Sequence, residues 1–123
     1  MANGTTAERK NLDQPDETRA FSKGRLDVVS IGPTSLGRAT FEPGWKWSEC
    51  VRPIAQTASC LSPHVGYVIS GCMKIVMDGG QELEFSAGDA MAVPPGHDAW
   101  VVGSEPCIVI DFVGVTNYGK PPN

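Results

Sequence analysis

The 123-residue chain has only two histidines, His64 and His97, and aromatic residues make up 7% of it. No apolar run approaches the about 20 residues that a membrane-spanning helix needs, so no partner membrane is expected. Lys and Arg form no cluster, and the net charge is −4. That argues against nucleic acid or an anionic membrane surface as a partner. Met1–Gln14 is polar and lacks the apolar core of an export signal, so a cytoplasmic location is expected. The four cysteines, Cys50, Cys60, Cys72 and Cys107, include no Cys-x-x-Cys pair. Zinc-ribbon and thioredoxin-type readings therefore have no support. In a reducing compartment these are thiols or ligands before they are disulfides. No serine sits in a Gly-x-Ser-x-Gly turn, and no glycine loop opens a helix to cradle phosphate. A sustained 3.6-residue apolar period is also missing, which leaves a mostly β chain.

What the chain does have is turn chemistry. Its 14 glycines and 10 prolines are about a fifth of all residues. They separate short alternating runs at intervals of about ten residues, the pattern of an antiparallel sandwich or barrel. Strands are expected over Leu26–Ile31, Leu36–Phe41, His64–Ser70, Cys72–Met77, Gln81–Phe85, Met91–Val93 and Cys107–Val113. Asp78-Gly79-Gly80 and Ser86-Ala87-Gly88 turn the chain between them. Pro94-Pro95-Gly96 interrupts any ladder, because neither proline donates a backbone hydrogen bond.

The length suits one domain. Residues 1–20 read as an arm or tail, 21–116 as the barrel and 117–123 as a second tail. Within the arm, Asp13–Glu17 is either a short helical turn or an extended segment packed on the barrel or on a second subunit. Trp45 and Trp47 share a parity in extended chain, and pack either in the core or as a pocket wall. Val51–Pro63 has no alternation and reads as a functional loop. Asp111 interrupts an apolar strand, and either faces solvent or pairs with arginine. Cys72 and Cys107 read as small buried hydrophobes.

Three spacings carry a family resemblance. Gly88, five residues, Pro94-x-Gly96, two residues, Ala99 matches one motif, with Ala99 where a histidine is usual. His64, six residues, Gly71 matches the end of another, with His64 at a glutamate position. Gly44, five residues, Cys50-x-Arg52 matches its beginning, with Cys50 and Arg52 at two histidine positions. On these motifs, and on the runs GWKWSE, PHVGYVISG and PPGHDAWVV, the chain resembles the small single-domain cupins, RmlC-like jelly rolls. The resemblance spans roughly Phe41–Phe112. It implies an all-β, antiparallel double-stranded β-helix with one cavity.

The resemblance also implies that His64 faces the cavity, with His97 on the same side, two residues from Ala99. Cys50 and Cys60 stand behind them as further metal-ligand candidates. Two imidazoles with one or two thiolates suit one divalent metal, zinc before iron or manganese. All four ligands would close a structural site; three would leave a position for water or substrate. The same spacing places Arg52 in the cavity, where it needs an anion: Glu49, Asp111 or a bound carboxylate. Trp45, Trp47 and Arg52 are the ligand-binding candidates.

Three functions compete. The first is a metal-dependent lyase, isomerase or hydrolase. The second is a metal-free module that binds or senses a small molecule. The third is a structural homodimer with an exchanged N-terminal arm.

Overall fold

The computed structural model describes residues 6–113, 115 and 118–120. Among the described residues, nine strands carry the fold. They are β1 (Glu17–Phe21), β2 (Gly24–Ile31), β3 (Thr34–Phe41), β4 (His64–Ser70), β5 (Cys72–Met77), β6 (Glu82–Ser86), β7 (Ala90–Val93), β8 (His97–Val101) and β9 (Cys107–Val113). They form a six-stranded sheet, ordered β1-β2-β3-β9-β4-β7, and a three-stranded sheet, β6-β5-β8. Every pairing is antiparallel. The core cluster draws on both sheets.

Period-two burial explains the layering. In β4, Gly66 and Val68 are buried while Val65, Tyr67 and Ile69 are exposed. In β5, Met73 and Ile75 point inward. In β8 the inward set is His97, Ala99 and Val101. In β9 it is Cys107, Val109 and Asp111. Alternation of this kind buries one face of each sheet and leaves the other to solvent. Two glycines permit the closest approaches. Gly71 has φ +79°, and a Cβ there would strike Pro106 O and Cys107 Cα. Gly66 would meet Ile110 O in the same way, so β4 and β9 pass closely.

The expected strands all form, with ends shifted by at most two residues. Three other expectations are corrected. Glu17–Phe21 is neither tail nor helical turn but the edge strand β1, paired with β2. Its ETRAF sequence offers little apolar alternation, and hydrogen bonding to β2 supplies what the sequence pattern does not. The residues before it turn at Asn11–Gln14, where Gln14 N donates to Asn11 O at 2.9 Å, and dock on the sheet: Asp16 accepts from Ser30 N at 2.8 Å, and Arg38 pairs with Asp13 at 2.8 Å.

The second correction concerns the expected extended chain and loop after Trp45. It contains two helical turns, α1 (Trp47–Cys50) and α2 (Arg52–Ala55). Asp98 Oδ1 accepts from Ser48 N in the first turn of α1, and Pro53 sits at the start of α2, where its fixed φ suits a helix. Helices of one turn are too short to show a period.

The third correction is at the C-terminus. Tyr118, expected in a tail, is buried. Buried Arg19 of β1 holds that segment by donating from Nη1 to Val115 O and, at 2.8 Å, to Tyr118 O. Of the expected tail, residues 117 and 121–123 lie outside the described residues.

Candidate metal centre

Cys60, His64 and His97 converge, and the two histidines line the cavity between the sheets. One ligand atom from each lies within 4.8 Å of the others. Their convergence follows from the backbone. His64 opens β4 and pairs with Val93 of β7. His97 opens β8 directly after the Pro94-Pro95-Gly96 turn. Cys60 is bridged to His97 in both directions. Its N–H donates to His97 O at 2.8 Å, and its carbonyl accepts from Gly96 N at 2.7 Å and His97 N at 3.3 Å. Ser59 Oγ donates to Asp78 Oδ2 at 2.8 Å, tying the preceding loop to the β5–β6 turn. The sequence-expected loop thus delivers Cys60 to the histidines.

Each histidine commits one ring nitrogen. His64 Nδ1 lies 2.6 Å from Asp111 Oδ2, and His97 Nδ1 lies 2.8 Å from Pro94 O. A carbonyl can only accept, so His97 Nδ1 carries the hydrogen. The Asp111 carboxylate fixes His64 in the same way. Nε2 of both rings is left over, and His64 Nε2 lies 3.9 Å from Cys60 Sγ. The two rings are edge to face, with centroids 5.3 Å apart. Tyr118 stacks edge-on against His64 at 5.4 Å.

The electrostatics are those of a thiolate–imidazolium pair. Burial opposes ionisation of the Cys60 thiol, but hydrogen bonds and charge from His64 and His97 outweigh it and lower the pKa from 9.0 to about 6. Burial also opposes charge on His64. The Asp111 and Cys60 hydrogen bonds overcome it and raise the pKa from 6.5 to about 9. Burial pushes Cys107 the other way, up to about 11. Burial, with the nearby Cys60 and Asp111 charges, holds the Tyr118 phenol well above its usual range.

Metal-free protein should therefore gain the ultraviolet absorbance of one thiolate with a midpoint near pH 6. Cys60→Ser should abolish that step; a first thiolate appearing only near pH 9 would contradict the pairing. Global stability should change little with this titration. A lowered thiol pKa stabilises the fold as pH rises toward 9.0, while the raised histidine pKa loses stabilisation from 6.5 up to about 9. The two trends oppose each other over 6.5–9.

The cavity beside these residues has a volume of about 40 Å³. His64, His97, Asp111 and Tyr118 form its polar side; Trp45, Trp47, Phe41, Met73 and Met91 are among its apolar lining. Both tryptophans reach it, although Trp47 does so from α1 rather than from an extended chain.

Arg52 does not. It is exposed on α2, because helical winding from Trp47 breaks the extended register that the motif spacing assumed. Cys50 is buried at the end of α1 and lies outside the Cys60–His64–His97 group found among the described residues. Asp111 corrects a further expectation. It is buried and bonds His64, with no arginine partner among the described residues, since it shares the inward parity of Cys107 and Val109. That parity was the available signal. Tyr118 had none, because its place depends on contacts with Arg19 at the other end of the chain.

An antiparallel two-sheet barrel with one cavity, lined by two histidines that a cysteine adjoins, has the architecture of a small cupin. Residues 45–107 match the EutQ-like cupin domain, and the chain belongs to that family. No curated protein matches the sequence. Among solved structures, a Rhizobium leguminosarum protein of unknown function has a TM-score of 0.63 at 15% identity, covering 95% of this chain and 99% of its own. An RmlC-like cupin from Shewanella frigidimarina has a TM-score of 0.59 at 19% identity, covering 90% and 94%. KdgF from Halomonas sp. has a TM-score of 0.58 at 18% identity, covering 87% and 91%. At these identities the likeness is one of fold. No helix among the described residues is long and apolar enough to cross a membrane.

Proposed function

We propose that this cupin holds one divalent metal through Cys60, His64 and His97, and binds a small molecule in the adjoining cavity. The reaction class that fits is a lyase, isomerase or hydrolase step. The commitment of both Nδ1 atoms carries the reading, because it leaves the Cys60 thiolate and both Nε2 atoms as the donor set, with His64 giving up its Nε2 proton as a metal binds. The donor chemistry, two imidazoles and one thiolate, fits zinc. The 3.9 Å from Cys60 Sγ to His64 Nε2 is close to the edge of a tetrahedron with bonds of about 2.0–2.3 Å. Three protein ligands leave a fourth position. A metal bound there would supply Lewis acidity toward a carbonyl or a water molecule.

The remaining roles belong to the chain. Asp111 orients His64 and raises its basicity, and the Pro94 carbonyl orients His97. The Cys60–His97 bridge fixes the thiolate beside both rings. Apolar side chains from both sheets exclude bulk water and so strengthen every charge interaction inside. The Tyr118 phenol stays protonated, so at neutral pH it can donate a hydrogen bond.

Elemental analysis of tag-free protein tests the reading. About one equivalent of metal is expected, zinc foremost, and His64→Ala with His97→Ala should lose it. Protein that takes up no divalent ion when each is offered would overturn it. The barrel would then be a metal-free binding module.

A further inference from the structure

Trp45 presents an unused donor. Its side chain is 2% exposed, it lines the cavity, and its indole Nε1 finds no hydrogen-bond acceptor among the described residues. Its backbone is fully engaged: Trp45 N donates to Glu42 O at 3.0 Å and Trp45 O accepts from Val101 N at 3.0 Å. The ring is clamped by Phe41, at 4.1 Å between centroids, and Phe21, at 6.5 Å. A buried donor left unpaired is costly, and most such groups in folded proteins have a partner.

No acceptor lining the same cavity pairs with the indole, and its one carboxylate is already engaged. Asp111 accepts from His64 and, at 3.0 Å, from Val113 N. The other neighbours of Trp45 in the lining are mostly hydrocarbon or thioether: Leu26, Ala39, Phe41, Met73, Ile75 and Met91. The cavity of about 40 Å³ has room on the order of three water molecules, or one compact organic molecule.

We propose that Trp45 Nε1 is the recognition donor of the cavity, and that the ligand is a short aliphatic molecule carrying a carbonyl oxygen, as a carboxylate or a ketone. This rests on the reading that the cavity receives a small molecule, but not on the metal. The oxygen accepts from the indole, and the alkyl part lies against the methionine and isoleucine side chains. A rigid, pre-placed donor in a dry wall costs no ordering when the ligand arrives, so it selects for the acceptor as well as for size.

Indole-selective ¹⁵N nuclear magnetic resonance tests this with propionate and butanone as probes, on zinc-loaded and on chelator-treated full-length protein. Trp45→Phe assigns the Trp45 signal; Trp47 and Trp100 supply the other two. The Trp45 proton should move downfield on saturation by one of the probes, and Trp45→Phe should weaken that probe about tenfold. The responding probe distinguishes carboxylate from ketone. A shift that persists after chelation keeps this inference even if the metal fails. Probe binding that moves methionine methyl signals but not the Trp45 indole overturns the inference and leaves the metal site untouched. So does the absence of any shift with both probes, or equal affinity in Trp45→Phe confirmed folded by its circular dichroism.

Discussion

Asp111→Asn weakens metal binding by about 10–100-fold while the fold survives. The size follows from the usual effect of removing a charged partner from a ligating histidine. Asp111 Oδ2 sits 2.6 Å from His64 Nδ1, and its hydrogen bond is the largest of the influences that raise the His64 pKa. Asparagine keeps an acceptor oxygen, so the tautomer can persist. What is lost is the negative charge that makes Nε2 a better electron-pair donor. The measurement is a competition titration against a chelator of known affinity, at fixed pH. Urea midpoints of the metal-free wild type and variant provide the control, since a merely structural aspartate would shift those instead. Unchanged metal affinity in a folded variant would remove Asp111 from the site.

The second large effect is on stability. Any ligand that binds only the native state stabilises it by mass action, about 2.7 kcal/mol at a free concentration 100 times Kd. For a domain of this size that is a rise in Tm on the order of 10 °C. A scan of apo protein with and without zinc should show it. The double variant His64→Ala, His97→Ala should show none, because its donor set is reduced to Cys60. A barrel joined by many strand pairings should remain folded without metal. Equal shifts in wild type and double variant would mean that zinc binds elsewhere, at Cys72 or the surface carboxylates.

Much of this was readable in the sequence, for identifiable reasons. Strand positions follow from alternation around Met73 and Ile75 in β5, and from the long apolar run Cys107–Val113 in β9. Those strands face the core on one side, and burial writes a period of two into them. The scarcity of histidine made His64 and His97 conspicuous, and the cupin spacings put both near one cavity. Cys60 was a candidate four residues before His64.

What could not be read depends on other parts of the chain. Arg52 was placed by motif spacing, which presumes extended chain; two single-turn helices rotate it to the surface. β1 has no apolar face to announce it, and exists by pairing with β2. Tyr118 reaches the cavity only because buried Arg19, about 100 positions earlier, binds its carbonyl. Asp111 lies between these extremes. The sequence left it facing solvent or paired with arginine; the parity it shares with Cys107 and Val109 puts it inside, and its partner could be named only once β4 was seen beside β9.

The central claim is a mixed site in which a cysteine completes two histidines. Cobalt substitution with optical spectroscopy tests it most directly. Cobalt(II) added to metal-free protein should give a strong thiolate-to-cobalt charge-transfer band in the near ultraviolet and the intense visible bands of four-coordination. Cys60→Ser should lose the first and keep binding at reduced affinity. A weak visible spectrum without the charge-transfer band, unchanged by Cys60→Ser, would contradict the account.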